Sequence, residues 1–410
     1  MRGTVRTLTA ALLIGGMALA GLAGSAAHAA KFKVLHSFCE SHHLFCGDGS
    51  NPASSLAMDQ AGNFFGTTST GGQGVGTVFE LERKPGGSLK FKTLYRFCTQ
   101  GICGHNPNGP LVIDTAGNLY GTASNLVFEL SPGGKRGLWT ERVIHQFCNN
   151  NCGDGTLPNG GLTYAGSSAG APYDGVSPLY GVTQLGGTHN GGTVFELSGG
   201  TWGESVLYSF CSQGGSNCTD GEHPLAPPII DQMGNLFGTV LDGGNNFSPN
   251  GAGAVYELTL NGSSWAETVL YRFCSLSKCA DGARPLGRLA MDSLGTLFGV
   301  TQNGGHCASH LHKEGCGVLF KLVPNGEQSE ETLLHVFCSK KDCRDGDLPQ
   351  SGPLLSSSGD LFGSTAFGGG ERYRSAQLRR RRGLRARQRL FVQSPSPVLF
   401  PPQLCRRRRP

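Results

Sequence analysis

Apolar positions in this chain come in short alternating runs of four to nine residues, separated by Gly, Asn, Asp and Pro. Runs of Val, Ile, Leu, Thr and aromatics bounded by turn residues predict strands. No segment sustains the i, i+3, i+4, i+7 apolar spacing of a helix. The clearest unit reads Leu225–Asp231, then LFGTV at Leu236–Val240, AVYEL at Ala254–Leu258, and WAETVLYRF at Trp265–Phe273. A D-x-x-G-N turn (Asp231, Gly234, Asn235) joins the first two runs, and Gly243-Gly244 closes the second.

This order of runs recurs. A hydrophobic-aromatic-x-Phe-Cys phrase stands at Leu35–Cys39, Leu94–Cys98, Ile144–Cys148, Leu207–Cys211, Leu270–Cys274 and Leu334–Cys338, with steps of 59, 50, 63, 63 and 64 residues. Repeats of this length, each with four predicted strands, read as propeller blades. The expected fold is all-β, a β-propeller of about six four-stranded blades. Residues 32–38 match the fourth run of a unit and a sixth unit begins at Leu348 without one, so the N-terminal strand is expected to complete the last blade.

Three segments follow. Residues 1–29 carry Arg2 and Arg6, an apolar stretch Leu8–Ala20 and an Ala27-His28-Ala29 cleavage pattern, the form of a signal peptide. Residues 30–370 hold the six repeats. Residues 371–410 change character to 13 Arg with one acid, several Pro and the odd Cys405, and are expected to be a disordered tail. Arg380–Arg387 can be back-translated so that a shifted frame spells Gly-Val-Val-Phe-Glu-Leu, a run the sixth unit lacks, and the tail is read as a frameshift product that genomic DNA would decide. No later stretch is long and apolar enough to span a membrane. The expected location is secreted, periplasmic or at the cell surface, as a monomer.

Composition supports export. Of 15 Cys, 14 fall into local pairs: Cys39 with Cys46, Cys98 with Cys103, Cys148 with Cys152, Cys211 with Cys218, Cys274 with Cys279, Cys307 with Cys316 and Cys338 with Cys343. Intervening lengths of 6, 4, 3, 6, 4, 8 and 4 residues suit disulfide loops rather than the fixed spacing of a tetrahedral metal site. The overall charge of +5 misleads, because residues 31–370 carry 19 Lys and Arg against 28 Asp and Glu. No nucleic-acid partner is expected of such an acidic domain.

Candidate chemistry is sparse. The strand-one runs that would line a propeller channel (54–59, 109–114, 160–165, 226–231, 287–292 and 352–357) are apolar and small, with Arg288 the one mid-strand charge. Convergent ionisable groups for acid–base work are missing there, so no catalytic residue and no cofactor is assigned. Asp59, Asp114, Asp231 and Asp292 recur, each at the head of a D-x-x-G turn where it would cap its own backbone. Glu80, Glu129, Glu196 and Glu257 recur on the third run, with Lys321 in the fifth place, away from the channel, where sheet-edge ion pairing or solvent exposure is expected. Aromatics at 65, 120, 180, 237, 298 and 362 suggest packing between blades. His306, just before Cys307, and His310 and His312, in the loop between Cys307 and Cys316, are the only metal candidates, set against a solvated, tied loop with no functional ion.

Laid side by side, the phrases NFFGTTSTGG with GTVFEL (63–81), NLYGTASN with LVFEL (118–130), LYGVTQLGG with GTVFEL (179–197), NLFGTVLDGG with GAVYEL (235–258) and TLFGVTQNGG with GVLFKL (296–322) resemble the GloVer tandem-repeat family. That resemblance implies an exported, propeller-like repeat protein followed by one of several C-terminal anchors, and it implies no catalytic motif. The tail and the second unit, which lacks the Gly-Gly loop, depart from the pattern. The expected function is a binding or cell-surface interaction module for an extracellular ligand, a glycan or a protein, met by the variable cysteine-loop face. The alternatives are an exported lyase or hydrolase acting on polysaccharide, and a truncated surface protein without function.

Overall fold

Four-stranded antiparallel sheets recur down the chain because each repeat supplies four short apolar runs that cannot bury their faces alone. The computed structural model describes residues 34–39, 46–52, 54–97, 104–133, 138–149, 151–245, 251–307, 314–326, 329–368 and the strand at 389–393. The chain divides into two units, 1–37 and 38–410. The second is a six-bladed β-propeller.

Blade one comprises β1 (Ala57–Met58), β2 (Phe64–Thr68), β3 (Thr77–Arg83) and β4 (Leu89–Arg96). Blade two holds β5 (Val112–Ile113), β6 (Leu119–Ala123), β7 (Leu126–Ser131) and β8 (Thr140–Gln146). Blade three holds β9 (Leu162–Thr163), β10 (Leu179–Thr183), β11 (Thr193–Leu197) and β12 (Glu204–Ser209). In blade four a short strand, β13 (Glu222–Pro224), pairs with the far end of β15 on the edge shared by β14 and precedes β14 (Ile229–Ile230), β15 (Leu236–Asp242), β16 (Ala254–Asn261) and β17 (Ser264–Arg272). Blade five repeats that plan with β18 (Ala283–Pro285), β19 (Ala290–Met291), β20 (Leu297–Asn303), β21 (Val318–Val323) and β22 (Glu330–Val336). Blade six has β23 (Asp347–Pro349), β24 (Leu354–Leu355), β25 (Leu361–Phe367) and β26 (Arg389–Gln393).

Strand four carries a bulge in each of the first five blades, as between Val255 and Tyr256 opposite β17. One extra residue turns the following side chain to the other face. It thereby aims the Phe of the Phe-Cys phrase into the next blade. Phe97 meets Phe128 edge-on at 5.2 Å, Phe210 meets Tyr256 at 5.0 Å and Phe273 meets Phe320 at 5.0 Å. Phe38 makes the same contact with Phe79 at 5.0 Å. The strand-two aromatics also lie between blades: Phe65 packs in one cluster with Leu111 and Leu119, and Phe237 with Leu289 and Leu297. Beneath each strand-three ring sits a strand-two glycine. A Cβ at Gly121 would stand 2.6 Å from Phe128 Cζ and 2.8 Å from Leu111 Cδ2.

Two expectations about the ends change. The sixth blade takes its third strand from the Arg-rich segment expected to be a disordered tail. Arg389–Gln393 pairs with β25 so that Gly363 faces Phe391, the register in which Gly299 faces Phe320. The physical reason is that RLFVQ is a run of β-forming residues following a blade that lacks its own VFEL segment, and it pairs through its backbone. The remainder of 371–410 lies outside the described residues, as do 1–33 and so all of the expected signal peptide and the start of the expected closing strand. Val34–Ser37 are not in a strand.

Six disulfides join Cys39 to Cys46, Cys148 to Cys152, Cys211 to Cys218, Cys274 to Cys279, Cys307 to Cys316 and Cys338 to Cys343. The seventh expected pair is not among them: Cys98 and Cys103 both lie outside the described residues, so the bond expected from Cys98 to Cys103 stays an expectation of the sequence.

Candidate channel site

The strand-one segments lie around a cavity of about 680 Å³ whose lining includes Met58, Ile113, Tyr164, Ser167, Pro172 and Arg288. Residues from the turns after strand one (Gln60, Thr115 and Ala116) also line it, so it belongs to the face opposite the disulfide loops.

Blade three breaks the repeat here. Where blades one, two, four and five pass from strand one to strand two through a D-x-x-G turn, residues 164–178 of blade three form an insertion with one 3-10 turn at Ser167–Ala169. Tyr173 anchors it. That ring is fully buried, meets Tyr120 at 5.4 Å and Tyr164 at 5.0 Å, and donates its hydroxyl to the Ser177 carbonyl at 2.7 Å. Backbone joins in, because Thr115 N–H donates to the Tyr173 carbonyl at 3.0 Å. Tyr164 donates to the Ala171 carbonyl at 2.6 Å, which folds the insertion back on itself.

Arg288 reaches this insertion from blade five. Its Nη2 donates to Thr163 Oγ1 and to Ser167 Oγ, both at 3.0 Å, while those two hydroxyls lie 2.8 Å apart. Its Nε is buried without a hydrogen-bond partner. No carboxylate lies within ion-pair distance of it among the described residues. Gly287 positions the arginine: with a φ of 84°, it packs on the Gly352 backbone where any Cβ would collide. Burial pushes the guanidinium below its ordinary value, and the nearby Tyr164 phenol opposes that shift. Burial pushes the Tyr164 phenol upward in turn, so it stays protonated. An arginine held by neutral hydroxyls keeps its charge, and that charge is uncompensated.

The two aspartates on the cavity wall serve the turns. Asp59 accepts from Asn63 N–H and Nδ2, each at 2.8 Å. Asp114 Oδ1 accepts from Ala116 and Asn118 N–H at 2.9 and 2.8 Å, and its Oδ2 accepts from Asn118 Nδ2 and the Tyr120 hydroxyl. Asp231 and Asp292 cap their turns in the same way, so the four do not converge on a cation. On strand three, Glu80 pairs with Lys92 at 3.3 Å and Glu129 with Arg142 at 3.4 Å. Lys321 stands opposite Thr332, and the partly buried Glu196 and Glu257 are pushed upward by burial.

A second recurring cluster lies under the disulfide loops. Asp281 is buried and accepts from Ser275 N–H at 2.8 Å, Leu276 N–H at 3.3 Å and the Tyr271 hydroxyl at 3.0 Å. Asp220 holds Ser212, Gln213 and Tyr208 identically, and His145 and His335 replace the tyrosine against Asp154 and Asp345, both at 3.3 Å. The next blade adds a glutamate to the clusters of Asp281, Asp220 and Asp154. Burial, with Asp281 charge second, pushes Glu331 up to about 7, and Glu204 beside Asp154 also rises to about 7. In the second unit, which has no loop aspartate, Glu141 takes the Tyr95 hydroxyl at 2.7 Å.

Of the metal candidates, His306 is described, whereas His310 and His312 lie outside the described residues. Cys211, Cys218 and Glu222 lie close enough to suggest a metal group, but the two sulfurs are bonded to each other and offer no thiolate. Reading the sequence singled out Arg288 but not Thr163, Ser167 or Tyr164. The available signal was length: blade three needs residues 164–178 to connect strands that blade four joins with 231–235.

Among solved structures, the chain is similar to a luciferin-regenerating enzyme at 11% identity, over 84% of this chain and 92% of that one, with a TM-score of 0.44. It is similar at 11% identity to the PQQ-bound aldose sugar dehydrogenase of Streptomyces coelicolor, over 84% and 95%, TM-score 0.43. A third likeness, at 13% identity and TM-score 0.38, is to a chain of a nidogen/laminin complex, over 70% and 82%. Likeness at this level says nothing of chemistry. No curated protein matches the chain. The model of the Gloeobacter/Verrucomicrobia repeat matches residues 166–376, half of the sequence and most of its blades, and the chain belongs to that repeat family.

Proposed function

We propose that this protein is an exported binding module that holds a small extracellular ligand in the channel cavity on its turn face. The observation that carries the reading is the cavity of about 680 Å³ with one uncompensated cation in its wall. That volume falls within the range of small-molecule sites, and a rigid ring of blades presents it preformed. The acids beside it are occupied as turn caps, which argues for holding a ligand rather than transferring protons. Disulfide-tied loops at the blade junctions fit an oxidising, extracellular setting, and no helix among the described residues is long and apolar enough to cross a membrane. The cavity shifts the expected contact from the cysteine face to the opposite one.

An oligosaccharide array probed with the full chain tests this. Ala116 is exposed on the cavity wall, and Ala116→Trp should fill the entrance without disturbing a blade. Binding to a discrete set of glycans that Ala116→Trp abolishes is the expected result. Binding unaffected by that substitution would refute a channel site.

A further inference from the structure

The cation in the cavity wall narrows the ligand's chemistry. We infer that the channel binds a sugar acid, its carboxylate seated on the Arg288 guanidinium; this rests on the channel-binding reading above. Arg288 spends Nη2 on Thr163 and Ser167, which fixes the guanidinium plane while leaving its charge unneutralised. Nε is closed off from solvent without a partner, so it adds to the cost of holding this cation, and a ligand meets the guanidinium only where the side chain lines the cavity. An anion seated there offsets a charge that no side chain neutralises, and a carboxylate does so through a charge-assisted hydrogen bond.

One negative charge fits better than two. The cavity lining carries a single basic side chain, Arg288, whereas the carboxylates of Asp59 and Asp114 stand on the same wall. Both ligands would meet the same two aspartates, but a phosphate dianion doubles that repulsion and exceeds what one cation balances, whereas the single charge of a carboxylate is matched by Arg288. The rest of the lining suits a sugar ring. Tyr164, Pro110 and Pro172 offer apolar faces to its C–H bonds, and Gln60 and Thr115 offer polar groups to its hydroxyls. Those contributions come from three blades and from the blade-three insertion, so the cavity exists only in the folded ring.

The test titrates the full chain with D-glucuronate and D-galacturonate, and in parallel with D-glucose and inorganic phosphate, by calorimetry. The wild-type protein should bind at least one uronate, and glucose and phosphate about tenfold or more weakly, since a site built around a charged hydrogen bond rejects the analogue lacking it. Arg288→Met should abolish uronate binding while its unliganded Tm stays equal to or above wild type, because an unpaired buried charge is removed. A variant that melts lower is replaced by the Thr163→Val, Ser167→Ala double substitution, which frees the guanidinium to turn and should weaken uronate binding. Glucose bound as tightly as the uronates, and blocked by Ala116→Trp, would overturn the carboxylate inference and keep the channel reading. Phosphate bound more tightly than either uronate would do the same. Failure of all four probes to bind would overturn the inference, while any array signal lost in Ala116→Trp would still uphold the channel.

Discussion

Glu331 offers a sharp test of how the blades are joined. Its carboxyl lies partly buried beside Asp281, is pushed up to about 7 from 4.5, and has one oxygen without a hydrogen-bond partner. Its folded value lies above its unfolded one, so the folded state holds the extra proton. The group therefore favours folding fully below pH 4.5 and loses that contribution as pH rises through 7. A full shift of that size would correspond to about 3 kcal/mol, but the carboxyl is only partly buried and solvent screens it, so about 1–2 kcal/mol is the reasonable penalty at pH 8. Glu331→Gln keeps the shape of the protonated acid and removes the penalty. At roughly 2 cal/mol/K of unfolding entropy per residue, a domain of this size should gain about 1–3 °C in Tm at pH 8. The assay is thermal melting by circular dichroism at pH 4 and pH 8, at one scan rate and salt concentration. The variant and wild type should melt together at pH 4 and separate at pH 8, with the variant higher. A variant that melts lower at pH 8, or a difference that does not change with pH, would refute the account of a carboxyl forced to share its site with Asp281.

Other outcomes follow from the same geometry. Glu204→Gln, beside Asp154, should repeat the behaviour of Glu331→Gln, and melts at the same two pH values check it. Phe273→Ala empties a fully buried site against Phe320 and should cost about 3–5 kcal/mol, read from urea unfolding. Gly121→Ala forces a methyl against Phe128 and Leu111 and should cost about 1–3 kcal/mol by the same measurement. Reducing the disulfides should lower Tm, because loops as short as that between Cys274 and Cys279 each contribute about 2 kcal/mol; an unchanged Tm under reductant would contradict this.

The blades were legible because their residues follow a period of two and their ends are punctuated by Gly, Asn and Asp. The bulge in strand four was not. In VLYRF, Val269 and Leu270 are adjacent and both buried, a single break in the alternation that a short run cannot distinguish from a strand buried on both faces. The loop aspartates were visible as letters, but their partners on strand four of the same and the next blade depend on how blades nest. The third strand of blade six was invisible for another reason. Its sequence does not resemble VFEL, and the sheet edge beside β25 accepts it through backbone pairing, which asks little of side-chain identity.

The repeat explains the scaffold, and departures from the repeat locate the chemistry. Every position that recurs in most blades has a structural duty: the turn aspartates cap, the strand-two glycines make room for a ring, and the Phe-Cys phrase locks one blade to the next. A residue with such a duty in every blade is poorly placed to recognise a ligand, since altering it would cost stability. Arg288 and the 164–178 insertion each occur once, in blades five and three, and they meet across the channel. Arg288 lies 125 residues from Thr163, so no local pattern joins them. An unpaired guanidinium there weakens the fold, as buried charges without partners do. On the proposed channel reading, its presence at the one place where the insertion also departs from the blade plan is explained by what enters the cavity rather than by what holds the ring together.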